Sequence, residues 1–130
     1  MIKIATWNTD GLRSRILDKY SDLEFKKLKK NQRKIQINSP LQELIDLKTD
    51  IICIQETKCQ DKHIKFFKLS KIFPHSYFSC NSKSYAGVAI FSKIKPINIY
   101  KNLPNINFLK NIKYDKFPGR ILLLEFKKFF

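Results

Sequence analysis

Residues 51–58 read Ile-Ile-Cys-Ile-Gln-Glu-Thr-Lys, an unbroken apolar run that gives way at once to polar and charged residues. A strand with one solvated face alternates apolar and polar residues. A run without alternation is expected where both faces are covered. Just upstream, residues 39–48 carry the signals of a helix start: Ser39 can cap, Pro40 fits the first helical position and Gln42 completes a capping box. Leu41, Leu44 and Ile45 fall on one face, so this helix is expected to pack on a sheet. At the start of the chain, residues 1–7 (MIKIATW) are short and β-rich, with Ile2 and Ile4 on one face, and end in the turn-forming group Asn8, Thr9, Asp10, Gly11. A strand, helical material and a second buried strand predict an α/β fold with these strands as paired neighbours. Their relative direction is left open.

Downstream, residues 76–79 and 87–92 (GVAIFS) read as short strands, and residues 96–100 as an edge strand, since Pro96 cannot donate to a ladder. Residues 103–117 form an Asn- and Pro-rich loop, and residues 120–126 (RILLLEF) a last, strongly apolar strand. So apolar a strand close to Phe130 leaves a sheet edge and a face uncovered, and the sequence is expected to stop in mid-fold. Residues 17–38 are Lys-rich, with Leu23, Phe25 and Leu28 at partly helical spacing, and read as a solvated helix or surface insertion more readily than as a DNA-binding arm. No internal repeat or domain linker is visible.

The 130 residues make one ordinary domain, and 43% hydrophobic with 13% aromatic content argues against wholesale disorder. A net charge of +15 favours a polyanionic partner: DNA, RNA or an acidic membrane face. The bias toward Lys, with abundant Ile, Asn and Phe, is also what an A/T-rich coding sequence produces, so charge alone leaves the partner open. Cys53, Cys59 and Cys80 follow no disulfide spacing, which suits a reducing compartment. Cys59 and His63 would make half a zinc site with no second half, and read as an inert surface pair. There is no secretory signal pattern and no apolar run near the ~20 residues of a membrane span. An intracellular protein without a membrane partner is expected, in the nucleus if eukaryotic and otherwise in the cytoplasm.

Phosphodiester cleavage at neutral pH needs stabilisation of a charged transition state and an activated water, both of which a magnesium ion can supply. Magnesium takes hard oxygen ligands, often one or two carboxylates with waters and substrate phosphate oxygens. Glu56, just past one strand, and Asn8 and Asp10, just past another, could contribute if the strands are neighbours.

The flanking residues make this pattern specific. Trp7-Asn8-Thr9-Asp10-Gly11-Leu12-Arg13 followed by Ile54-Gln55-Glu56-Thr57-Lys58 resembles the opening motifs of the exonuclease III type of apurinic/apyrimidinic (AP) endonucleases, within the endonuclease/exonuclease/phosphatase superfamily. Residues 85–90 (YAGVAI) resemble the family's Tyr/His-x-Gly-Val segment, and Gly119-Arg120 its GR-strand segment. The spacing between the first two motifs exceeds the family's by about the length of the Lys-rich stretch, which marks residues 18–39 as an insertion. The resemblance implies the N-terminal half of a four-layered, DNase I-like α/β sandwich, with a mixed, mainly antiparallel sheet flanked by helices. It implies magnesium as cofactor, with manganese able to substitute, and double-stranded DNA with abasic sites as substrate. By position, Glu56 would be the principal metal ligand, Asn8 would orient the site, and Asp10 would ligate or support the metal. Arg13 and Tyr85 would touch the DNA backbone, Lys58 would add charge, Gly87 would keep its loop close-packed, and Trp7 would be a core aromatic.

The family's later motifs, Tyr-x-Pro-Asn, Gly-Asp-x-Asn and Ser-Asp-His, do not occur, and His63 and His75 match none of them. The expected water-activating Asp and phosphate-stabilising His are therefore missing. Residues 1–130 alone are expected not to be a competent nuclease, and a complementary C-terminal half is expected if the enzyme is split. Two alternatives stand beside this reading: a non-catalytic basic nucleic-acid-binding module, and another superfamily nuclease such as a retrotransposon endonuclease.

Overall fold

The computed structural model describes residues 1–16, 40–64, 67, 69–101 and 119–127. The expected insertion over residues 18–39, including the Ser39 cap, and the loop over residues 103–117 lie outside them.

Strand β1 (Ile4–Asn8) leads into helix α1 (Leu12–Ile16), α2 (Pro40–Asp46) precedes β2 (Ile51–Gln55), and a short α3 (Asp61–Ile64) follows. Strands β3 (His75–Ser79) and β4 (Val88–Ser92) complete a four-stranded sheet in the order β1-β2-β4-β3. The pair β1/β2 is parallel, the direction that the sequence left open; β2/β4 and β3/β4 are antiparallel. Strands β5 (Asn98–Tyr100) and β6 (Leu123–Glu125) form a separate two-stranded antiparallel sheet.

The apolar run of β2 fills both faces of the main sheet. Ile52 and Ile54 join Phe78, Ala89 and Phe91 in the larger core, which also takes Leu12 and Ile16 of α1 and Leu41 of α2. Leu44 and Ile45 pack against the same cluster, so α2 lies on the sheet by the face its spacing predicted. Trp7 packs there too, half-buried. On the other face, Ile51 is buried with Leu124 and Phe126, so the final strand covers part of it. Ile4 stays 60% exposed, because β1 is the sheet's edge and the β6 residues reach only as far as a cleft of about 140 Å³ beside it.

Four strands are shorter than the sequence suggests; β1 begins at Ile4 and takes in Asn8, which the sequence places in the turn, and β4 begins at Val88. The last covers Leu123–Glu125 rather than residues 120–126, the length over which it pairs with β5. The edge strand begins at Asn98, past Pro96. Among the described residues no helix is long and apolar enough to cross a membrane.

Candidate metal-holding site at the strand ends

Parallel pairing in register sets Asn8 opposite Gln55, so both chains leave the sheet at the same edge. Their exit loops continue the ladder. Thr9 N–H donates to Gln55 O at 3.0 Å, Gly11 N–H to Glu56 O at 2.8 Å and Leu12 N–H to Thr57 O at 3.0 Å. This brings Asn8 Nδ2 to 2.7 Å from Glu56 Oε1, while Asn8 Oδ1 accepts the Asp10 N–H at 3.1 Å. A third loop locks onto the second: Thr57 N–H donates to Gly87 O at 3.0 Å and Lys58 N–H to Ala86 O at 2.8 Å.

The convergence costs backbone strain. Asp10, Glu56, Lys58, Ser84 and Ala86 hold left-handed φ values of 44, 50, 48, 57 and 56°. Such residues persist only where their surroundings over-determine them, and they gather at functional sites. At Gly87 (φ 91°) a Cβ would overlap the Thr57 hydroxyl, so that position admits no side chain while Thr57 is in place.

Lys58 Nζ forms an ion pair with Asp10 Oδ1. Its hydrogen bond and charge hold the Asp10 carboxyl below the usual 3.8, with Arg15 adding to the effect. The Lys58 ammonium is in turn held above 10.5, chiefly by Asp10 and to a lesser extent by Glu56. Arg13 points elsewhere, with Nη1 at 3.3 Å from His63 Nε2, and Gln60 N–H donates to His63 Nδ1 at 2.9 Å. Tyr85 is 48% exposed, with the Arg120 guanidinium 5.8 Å from its ring centroid. Asp10, Gly11, Arg13, Ser14, Lys58 and Ser84 line an open polar cavity of about 330 Å³.

Cys59 and His63 are not a surface pair. Cys59 is fully buried and His63 nearly so, because the loop after β2 folds back under the site, with Cys59 Sγ donating to Thr57 O at 3.3 Å. Burial pushes the Cys59 thiol up to about 11. The sequence reading also passed over Thr9, whose buried hydroxyl lies 3.1 Å from both Gln55 O and Glu56 O, and Arg15, whose Nε donates to Thr9 O at 3.0 Å. A polar β-branched residue set between two site residues was the available signal for Thr9. Arg15 offered none.

Among the described residues no group of three His, Cys, Asp or Glu converges. Magnesium keeps most of its waters and is commonly held by only one or two carboxylates, so Glu56 and Asp10 remain its candidates here. The Asn8 hydrogen bond engages Oε1 of Glu56 and the Lys58 ion pair engages Oδ1 of Asp10, so each carboxylate has a second oxygen outside that contact.

Residues 5–126 match the model of the endonuclease/exonuclease/phosphatase family. Over 99% of its length the chain is 33% identical to Recombination repair protein 1 of Drosophila melanogaster, covering 15% of that protein. It is 30% identical over 99% of its length to the DNA repair nuclease APEX1 of Danio rerio, covering 34%, and 29% identical to the Exodeoxyribonuclease of Bacillus subtilis, covering 40%. The chain thus spans well under half the length of these relatives. Its mixed, mainly antiparallel sheet with flanking helices is of the DNase I-like α/β class. The extent of the match decides the assignment: this chain belongs to the endonuclease/exonuclease/phosphatase family.

Proposed function

We propose that the chain supplies the metal-holding side of a phosphodiester-cleaving site that acts on duplex DNA at abasic positions, in the manner of an AP endonuclease and 3′–5′ exodeoxyribonuclease. The observation that carries this reading is the 2.7 Å hydrogen bond from Asn8 to Glu56 at the shared exit of two parallel strands, within a family-wide sequence match. The names of the relatives, a DNA repair nuclease and an exodeoxyribonuclease, support it.

Glu56 would hold magnesium or manganese through Oε2, and Asn8 fixes the carboxylate by holding Oε1. When bound, such an ion would supply positive charge beside the scissile phosphate. Lys58 neutralises Asp10 and lines the open cavity with it, adding positive charge where a phosphate would sit. Arg13 lines the same cavity, Tyr85 offers an exposed ring to the sugar-phosphate backbone, and Gly87 lets that loop approach closely. Water activation and stabilisation of the phosphate belong to the motifs this sequence lacks, so residues 1–130 by themselves bind without cutting.

Fluorescence anisotropy of residues 1–130 on matched duplexes, one with a single abasic site, tests the reading. Tighter binding to the abasic duplex in Mg²⁺, weakened by Glu56→Gln and unaccompanied by nicking, is expected. Robust nicking lost on Glu56→Ala would overturn the inactivity. Equal affinity for both duplexes would favour a generic basic nucleic-acid-binding module, the second reading, which the +15 net charge supports.

A further inference from the structure

Thr9 lies between two of the site residues, is 1% exposed and ends in a hydroxyl. That hydroxyl sits 3.1 Å from Gln55 O and 3.1 Å from Glu56 O, and its one proton is shared between them. Each carbonyl already takes a backbone donor, Thr9 N–H on Gln55 O and Gly11 N–H on Glu56 O. Each oxygen thus accepts a backbone N–H and one arm of a bifurcated hydrogen bond from the hydroxyl. These two carbonyls belong to the peptide planes immediately before and after the Glu56 Cα. The angle between those planes is what φ and ψ of Glu56 describe, and φ is held at 50°. Arg15 Nε, bonded to Thr9 O at 3.0 Å, fixes the residue from its far side.

We propose that Thr9 is a positioning residue: its buried hydroxyl pins both peptide planes flanking Glu56 and so aims the carboxylate at the cation. The proposal rests on the reading of Glu56 as a metal ligand, and it assigns to a side chain with no ligand contact a measurable share of metal affinity.

The test uses ¹⁵N-labelled residues 1–130, with Mn²⁺ as the probe and paramagnetic broadening of the Gly11 and Thr57 amides as the readout. Two pairs of proteins separate the hydroxyl from side-chain shape: wild type against Thr9→Val, and Thr9→Ser against Thr9→Ala. Thermal melts of each report stability separately. Loss of one hydrogen bond's worth of positioning should weaken Mn²⁺ binding about three- to tenfold in the Val and Ala variants. The Ser variant should match wild type even where its melting point falls. Equal Mn²⁺ affinity within both pairs, with broadening still abolished by Glu56→Gln, overturns the role of Thr9 and leaves the site intact. If Val fails to fold, the Ser and Ala pair decides alone. Wild-type broadening that survives Glu56→Gln overturns both the role of Thr9 and the reading of Glu56.

Discussion

At the scale of single residues, the site is held by contacts that small substitutions can interrogate. The Asp10–Lys58 pair is open to solvent, so its signature is a titration more than a stability change. Because the folded Asp10 value lies below 3.8, any stabilisation it gives is complete above that pH and is lost as pH falls through the lower folded value. Lys58 behaves in the opposite sense: its contribution is complete below 10.5 and is lost as pH rises through the higher folded value. Carboxyl ¹³C titration should therefore place the Asp10 midpoint below 3.8 in the wild type and return it toward 3.8 in Lys58→Ala. A sharper loss is expected at Gly87, where Ala meets both a φ of 91° and the Thr57 hydroxyl. Gly87→Ala should cost about 2–3 kcal/mol by urea denaturation, and Thr57→Ser should not relieve it, since the hydroxyl remains. Asn8, Asp10 and Glu56 were legible in the sequence because their neighbours form a recognisable motif. That Asp10 faces Lys58 was not, since both reach their positions through left-handed backbone that no spacing rule anticipates.

The elements divide by how much of each is covered. Phe91 of β4 is fully buried, with its ring centroid 6.1 Å from that of Phe73 and 5.7 Å from that of Phe78. Phe91→Ala should destabilise the chain by about 3–5 kcal/mol. Ile4 of β1, 60% exposed, should tolerate Thr within about 0.5 kcal/mol, and parallel denaturation curves would show both outcomes. Strands β2 and β4 and helix α2 were readable because burial on both sides leaves an unbroken apolar run, and burial of one helical stripe leaves a periodic trace in residue type. The direction of β1 against β2 leaves no such trace. Nor does the shortness of β6, which extends only as far as its pairing with β5, a strand distant in sequence.

For the whole molecule, the proposed binding of duplex DNA predicts a salt response set by the number of phosphates that the basic surface, of net charge +15, contacts. Contact with three or four phosphates predicts an affinity loss on the order of a hundredfold between 50 and 200 mM salt, read as the slope of log K against log salt. A flat response would remove electrostatics from the account of binding. The site is also a property of the whole, because Asn8 and Glu56 are 48 residues apart and meet only through the β1/β2 pairing. That separation has a consequence in time. At a translation rate of about 5–20 residues per second, Asn8 emerges on the order of 2–10 s before the partner that orients it, 48 positions later, has been made. Throughout that interval β1 has no β2 to pair with, and Ile2 and Ile4 remain open to any strand that arrives first. A nascent chain that stalls in this window carries an adhesive first strand and no Asn8–Glu56 contact, so pulse-labelled stalled products should be selectively bound by chaperones until residue 56 has cleared the ribosome.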